Sequence, residues 1–138
     1  MALANVNQAL TEDQTALIDA VRDYARGELL PLDRKWDDDE TSVAEILPQL
    51  AEMGLMNLAV PEELGGLGVD YRTYASIIHE VACASPSVAV TLCVHNMVGK
   101  ILAAHADTDE RKQWASEWGT AESFGAFALS EAGAGSDA

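Results

Sequence analysis

One apolar segment, residues 88–104, limits the folds that this chain can adopt, because hydrophobic side chains cover nearly every side of the helix it would form. Its polar interruptions are His95, Asn96 and Lys100. Such a helix must be covered from several directions, either by other helices of the chain or by a partner domain. The segment is shorter than the ~20 residues that a helix needs to cross a bilayer, so we expect a core helix.

Capping signals and apolar stripes predict the helices before this segment. The run Thr11-Glu-Asp-Gln14 has the form of a capping box, in which each of the two end residues satisfies a backbone N–H of the other. The apolar stripe behind it predicts a helix that bends or ends at Pro31. A short amphipathic helix follows over residues 43–53, with Gly54 as its stop.

Three further helices follow from similar signals. A third helix begins near Tyr71 and ends at the pair Ser85-Pro86, where the serine can cap the core helix and the proline can take its first position. Asp107 or Thr108 then caps a fifth helix. The sequence therefore predicts about five helices.

Glycine and proline mark two stretches that are not helical. Residues 60–70 contain three glycines and a proline, which predicts a structured loop with positive φ values. Neither of the common phosphate-binding glycine spacings occurs in it. Residues 124–130 are short and apolar, a pattern typical of a strand. We therefore expect an all-α fold of about five helices that ends in one short β-strand.

The charge of the chain disfavours some classes of partner. Eight Lys and Arg residues against 23 Asp and Glu residues give a formal net charge of −15. Such a surface repels phosphate backbones and anionic lipids, so we expect neither a nucleic acid nor a membrane as partner. An acidic surface is typical of a soluble protein, and a salt-adapted source is the alternative.

Cysteines, histidines and the N-terminus add three expectations. Cys83 and Cys93 both lie in apolar stretches and are expected to be buried free thiols. No H-x-x-x-H or C-x-x-C spacing occurs, so no metal site is predicted, and the acidic run 37–40 is expected to be a solvated turn. The first residues lack the basic and apolar regions of a signal peptide, which predicts a cytoplasmic protein.

Two segments together resemble the acyl-CoA dehydrogenase family. The first is Leu50-Ala-Glu-Met-Gly-Leu55 followed by Val60-Pro-Glu-Glu-Leu-Gly-Gly-Leu-Gly68. The second is Phe127-Ala-Leu-Ser-Glu-Ala-Gly-Ala-Gly-Ser-Asp137, which is similar to the family's flavin-binding signature [ST]-E-P-x-A-G-S-D. It departs from that signature at Ala132, where the family usually has proline. The order of the other elements also matches, so the resemblance covers nearly the whole chain.

The resemblance implies a domain organisation and an activity. Residues 1–120 would be the family's helical N-terminal domain, and residues 121–138 would begin its middle β-domain. Complete members add a C-terminal helical domain, bind FAD and are commonly homotetramers. They oxidise the Cα–Cβ bond of an acyl-CoA: a carboxylate base removes the α proton, and the β hydrogen passes to FAD as hydride. In most members that base lies in the C-terminal domain, so we expect this chain alone to be inactive.

The resemblance also implies the site residues. The expected FAD contacts are Phe127, Leu129, Ser130, Gly135 and Ser136. The expected acyl-CoA contacts are Thr91, Val94, His95 and Ser136. Glycine permits close backbone approach and serine offers a hydrogen-bond donor, as a polar ligand edge requires. The residues alone leave an alternative open, in which an ordinary strand and turn follow a core helix and His95 is a buried, hydrogen-bonded histidine.

The sequence is therefore consistent with two classes of function. In the first, the chain is part of an FAD-dependent acyl-CoA dehydrogenase that is completed by the middle and C-terminal domains, in the same polypeptide or in a second chain. In the second, it is a noncatalytic helical module that binds a partner through the surface those domains would cover. An unrelated helical bundle is a third alternative.

Overall fold

A computed structural model describes residues 9–39 and 43–133, together with residue 135. The α-helices are α1 (Glu12–Tyr24), α2 (Leu30–Asp39), α3 (Leu47–Glu52), α4 (Tyr71–Ala84), α5 (Pro86–Ala104) and α6 (Asp109–Glu117). Shorter segments are a π-helical turn at Ala25–Leu29 and 3₁₀ turns at Val43–Ile46, Leu55–Asn57, Glu62–Leu64 and Trp118–Thr120. The described residues contain no β-strand, and the fold is all-α.

Local sequence signals set several helix ends, as predicted. The Thr11 hydroxyl accepts a hydrogen bond from the Gln14 backbone N–H at 3.2 Å, and the Gln14 side chain accepts one from the Thr11 N–H at 2.9 Å. Ser85 caps α5 and Thr108 caps α6 through their hydroxyl oxygens. Gly54 follows α3 with a φ of 74°, a left-handed conformation that suits glycine. The prediction of these boundaries is confirmed.

The first helix does not end at Pro31. Helix α1 continues through the π-helical turn directly into α2, which runs to Asp39. Proline lacks a backbone donor and its ring crowds the preceding turn, so a wider π-helical turn just before it can accommodate the ring. The acidic residues 37–39 consequently lie in the last turn of α2 instead of in the predicted solvated turn, and Glu40 lies outside the described residues.

Helix α5 lies at the centre of the fold. It packs against α4 and α6, and α4 packs against α1. The buried residues of α5 are Val88, Ala89, Leu92, His95, Asn96 and Gly99. By length and composition alone this 19-residue helix could also cross a membrane, although the core helix of a soluble protein passes the same test. One side of α5 packs against α4 and α6, whereas Val90, Met97 and Ile101 are exposed, so the helix is covered on part of its surface only.

The strand predicted for residues 124–130 is not present. These residues belong to no regular element. A strand exists only through the backbone hydrogen bonds it makes with a neighbour, and no segment of the described chain pairs with this one. The short apolar pattern that predicted a strand does not by itself provide a paired segment.

The two cysteines are free, as expected, but their burial differs from the prediction. Cys93 is half-buried, whereas Cys83 is exposed. His79, one turn earlier on α4, is exposed as well, and its Nε2 lies 3.7 Å from the Cys83 sulfur. This side of α4 therefore faces outward, and the prediction that Cys83 is buried was wrong.

The glycine-rich loop is structured, as predicted. Gly65 and Gly68 have φ values of 81° and 58°. The loop folds back onto the preceding turn through three backbone hydrogen bonds, from Leu67 N to Asn57 O, Gly68 N to Val60 O and Val69 N to Leu58 O, at 2.9–3.0 Å. The loop ends at Asp70, which caps α4 by accepting hydrogen bonds from the backbone N–H groups of residues 72 and 73.

We predict that Asp70→Ala lowers the free energy of unfolding by about 1–2 kcal/mol at neutral pH, because the cap of α4 is lost. The carboxylate also accepts hydrogen bonds from the Gln14 side chain at 2.6 Å and from the Thr73 hydroxyl at 2.8 Å. Asp70→Asn is the matched control and should retain most of the stability, since Asn caps as well as Asp. Urea unfolding followed by circular dichroism measures both variants, and equal losses would contradict the capping role.

The same cap has a pH dependence of known sign. The hydrogen bonds from Thr73, first that of its hydroxyl, hold the pKa of Asp70 below its ordinary value of 3.8. A lowered pKa in the folded state means that the stabilisation is fully present above the ordinary value and is lost as the pH falls below it.

Candidate functional site

His95 lies at the centre of the predicted site on α5, and its side chain is fully buried. Its Nε2 lies 3.0 Å from the carbonyl oxygen of Trp118, and the indole Nε1 of Trp118 donates to the carbonyl oxygen of His95 at 3.1 Å. The backbone N–H of Gly125 donates to Nδ1 of His95 at 3.2 Å. Both ring nitrogens are thus used. This pattern requires a neutral imidazole with its proton on Nε2.

Two aromatic rings cover this imidazole. The Trp118 ring is stacked on it with centroids 4.6 Å apart and planes 8° apart, and the Phe124 ring lies 5.3 Å away. Burial lowers the pKa of His95 below its ordinary value, although the hydrogen bond to the Trp118 carbonyl raises it in part. His95 is therefore neutral at pH 7 and is screened from solvent.

Two glycines make room for the indole of Trp118. A Cβ atom at Gly99 would lie 2.6 Å from the indole Cδ1, and one at Gly125 would lie 2.4 Å from Cζ2. Both distances are shorter than carbon atoms tolerate without rearrangement. The indole thus lies between two positions that only glycine can occupy in this packing. Sequence reasoning missed this role of Trp118, because no local signal relates it to glycines on both sides.

Asn96, the residue after His95, forms hydrogen bonds with a different segment of the chain. Its side-chain Nδ2 donates to the carbonyl oxygens of Leu55 at 2.9 Å and Leu92 at 3.0 Å. Its Oδ1 accepts a hydrogen bond from the backbone N–H of Ala59 at 3.3 Å. The two buried polar residues of α5 therefore hold two different segments of the chain, residues 55–59 and residues 118–125.

The residues expected to contact ligands fall into two groups. Thr91 and Val94 are half-buried on α5, one turn or less before His95. The expected flavin contacts lie in and after the segment 124–130, where Phe127, Leu129, Ser130 and Gly135 are exposed. Ser136 lies outside the described residues. The hydrogen bond from Gly125 to His95 joins the two groups.

The structure contains a cavity between α4 and α5. Its volume is about 380 Å³, and its lining residues are Ala59, Tyr71, Tyr74, Asn96, Met97, Lys100, Ile101, Ala104 and His105. The Lys100 ammonium lies 3.9 Å from the centre of the Tyr71 ring. No site residue that the sequence predicts is among the lining residues, so this cavity is separate from the predicted site. Among the described residues, no group of three or more His, Cys, Asp or Glu side chains could hold a metal ion.

We predict that Gly99→Ala lowers the free energy of unfolding by about 1–3 kcal/mol, because the added methyl group overlaps Trp118. Gly27→Ala is the matched control, since no atom lies within 4 Å of a Cβ at that helical position. It should leave stability unchanged or raise it by up to about 1 kcal/mol. Urea unfolding of the two variants provides the comparison, and a similar effect of both substitutions would rule out the close packing of Trp118.

The chain is similar to the N-terminal domain of a known enzyme family. The model of the acyl-CoA dehydrogenase N-terminal domain matches residues 11–122. The mitochondrial short-chain specific acyl-CoA dehydrogenase of Bos taurus is 35% identical over 131 residues, which cover 94% of this chain and 32% of that protein. An acyl-CoA dehydrogenase of Bacillus subtilis is 33% identical over 130 residues, with 94% and 34% covered.

A solved structure has a similar fold. It is described as the electron transferring flavoprotein of Acidaminococcus fermentans, and it matches with a TM-score of 0.81 and 26% identity over 96% of this chain and 35% of that chain. The chain thus spans about a third of the length of the relatives it matches. Because the family model covers all six helices, this chain belongs to the acyl-CoA dehydrogenase family and corresponds to its N-terminal domain.

Proposed function

We propose that this chain is the N-terminal part of an FAD-dependent enzyme that introduces a Cα–Cβ double bond into an acyl-CoA thioester. Its membership of the family supports this proposal, as do relatives named acyl-CoA dehydrogenases. Those relatives are about three times as long, so middle and C-terminal domains, in the same polypeptide or in a second chain, would complete the site. Residues 1–120 would form the helical domain and residues 121–138 would begin the middle domain.

The observation that carries the proposal is the exposed apolar segment after the last helix. Phe127 and Leu129 are 48% and 47% exposed, on a stretch without regular structure. Exposed apolar side chains suit both a neighbouring segment and the flat face of a flavin ring. The Ser130 side chain makes no hydrogen bond within the described part of the chain, so its hydroxyl can bond the polar edge of a ligand. These residues fit FAD.

The residues of this chain would bind and orient the reactants. Bound FAD would supply the hydride acceptor. Phe127 and Leu129 would exclude water from one face of the flavin ring, and Ser130 would bond its edge. Gly135 and Ser136 would lie near the cofactor, with Ser136 also near the acyl-CoA. The base that removes the α proton would lie outside this chain.

The acyl chain would lie along α5. Thr91 and Val94 are half-buried there, and the Val94 side chain and the Thr91 methyl group would contribute to the apolar wall that a hydrocarbon tail requires. Contact between His95 and the substrate stays a prediction. It requires Trp118 or Phe124 to move, because these two rings cover the imidazole.

We predict that Ser130→Ala, introduced into the complete polypeptide, weakens flavin binding about 2–10-fold, as expected for the loss of one hydrogen bond. Ser123→Ala is the matched control, since this serine is exposed in the same part of the chain and has no proposed ligand contact. Fluorescence titration of the apoprotein with FAD gives both dissociation constants. Unchanged binding in the Ser130 variant would contradict the proposed hydrogen bond.

We also predict that the 138-residue chain alone does not oxidise acyl-CoA, since it lacks the expected base and most of the surface that would hold FAD. The assay supplies FAD, an acyl-CoA and an artificial electron acceptor, and it follows reduction of the acceptor. Turnover by this chain would show that the base lies within it. The complete polypeptide serves as the positive control.

A noncatalytic module remains the second candidate function. The observation that favours it is a second exposed apolar surface, formed on α5 by Val90, Met97 and Ile101. A complete polypeptide that carries no flavin but forms a stable complex through this surface would support it. Copurification of FAD with the complete polypeptide would favour the dehydrogenase.

A further inference from the structure

We propose that His95 is a positioning residue for the segment 124–130: its neutral Nε2–H form holds Trp118 and Gly125 in place, and its protonation releases the segment. The inference rests on the proposed function in one respect only, namely that this segment contacts flavin. The anchoring itself follows from the contacts of His95.

The proton positions on the imidazole decide whether the anchor exists. The Gly125 N–H donates to Nδ1, so Nδ1 must carry a lone pair, and the Trp118 carbonyl accepts from Nε2, so Nε2 must carry the proton. The other neutral tautomer carries its proton on Nδ1 and its lone pair on Nε2, so it can form neither hydrogen bond. In the imidazolium both nitrogens carry protons, and the Nδ1 proton then faces the Gly125 N–H. Protonation therefore breaks the bond that holds Gly125.

The surroundings of His95 favour its neutral form. The ring is fully buried against two aromatic rings, and within the described residues the hydrogen bond to the Trp118 carbonyl is the influence that raises its pKa. Within the described residues, no ionisable side chain of α4, α5, α6, the 55–57 turn or the segment 118–125 shifts its titration. Burial is the dominant cause, and it lowers the pKa of His95.

The sign of the pH effect follows from that direction. The unfolded chain takes up the proton near the ordinary pKa of 6.5, whereas the folded chain does so only at lower pH. The hydrogen bonds of neutral His95 are therefore fully present above pH 6.5, and they weaken as the pH falls below 6.5.

Within the described residues, the contacts of Gly125 and Phe124 with His95 hold the start of this segment, and Glu131 at its other end lies in an isolated β-bridge. Residues 126–130 make no hydrogen bond within the described part of the chain. Gly125 is the last buried residue before them, and the stack of Phe124 on His95 is the adjoining contact. Phe127 and Leu129 follow two and four positions after Gly125, so a shift of Gly125 moves the side chains that are proposed to contact flavin.

Nuclear magnetic resonance of the ¹⁵N-labelled 138-residue chain tests the anchor directly. At pH 7.5 the ring nitrogens of His95 should report a protonated Nε2 and an unprotonated Nδ1. The Gly125 amide should be protected from hydrogen exchange, and the protection should fall as the pH drops below the ordinary histidine pKa of 6.5. An Nδ1-protonated tautomer, or a Gly125 amide whose protection does not follow the titration of His95, would overturn the inference.

Two variants separate positioning from packing. His95→Phe keeps a ring of similar size for the stack but removes both nitrogens, so the Gly125 amide should exchange at least about tenfold faster, equivalent to about 1.4 kcal/mol. Its exchange should no longer show the acid step. His79→Gln, at an exposed histidine, is the control and should behave as the parent chain. Native-like exchange at Gly125 in His95→Phe would contradict the role of the nitrogens. If this variant does not fold, the tautomer of His95 measured in the parent chain decides whether the inference holds.

The complete polypeptide distinguishes this inference from the proposed function. Flavin retention should fall with the same acid step as the Gly125 protection, and His95→Gln, which cannot titrate, should lack that step. A normal response of Gly125 with unchanged flavin retention would leave the anchor in place and contradict the flavin contact. Absence of the Gly125 response would overturn the anchor, whatever the flavin does.

Discussion

Two adjacent polar side chains, His95 and Asn96, are buried in the middle of the most apolar helix of the chain. A buried polar group without a partner costs about 1–3 kcal/mol, so α5 can be covered only by segments that bring matching donors and acceptors. Asn96 finds them in residues 55–59 and His95 finds them in residues 118–125. The paths of both connecting segments over α5 therefore depend on this pair of side chains.

Features that depend on neighbouring residues could be predicted from the sequence. The capping box at Thr11, the caps at Ser85 and Thr108, and the glycine after α3 each involve groups within about one helical turn, where spacing determines which atoms meet. The family was likewise predictable, because its signature is a short run of residues. Pro31 shows the limit of local reasoning, since its effect on the helix depends on how the preceding turn adapts.

Features that depend on distant residues could not be predicted. The partners of His95 lie 23 and 30 positions away, and nothing in the spacing of the sequence indicates them. The prediction of a strand at residues 124–130 was wrong for the same reason, because pairing needs a second segment that the described chain does not provide. The sequence left two roles open for His95, substrate contact and a hydrogen-bonded core position. The structure adds a description of its surroundings, in which a buried histidine connects α5 to the segment proposed to contact flavin.

The packing of Trp118 between Gly99 and Gly125 also restricts how this sequence can change during evolution. A side chain at either glycine overlaps the indole, and a smaller ring at 118 leaves a void and removes the donor that bonds the His95 carbonyl. Substitutions at residues in contact do not have additive effects, so the three positions form an epistatic group. A larger residue at position 99 or 125 therefore requires a change at position 118 that removes the overlap with the indole.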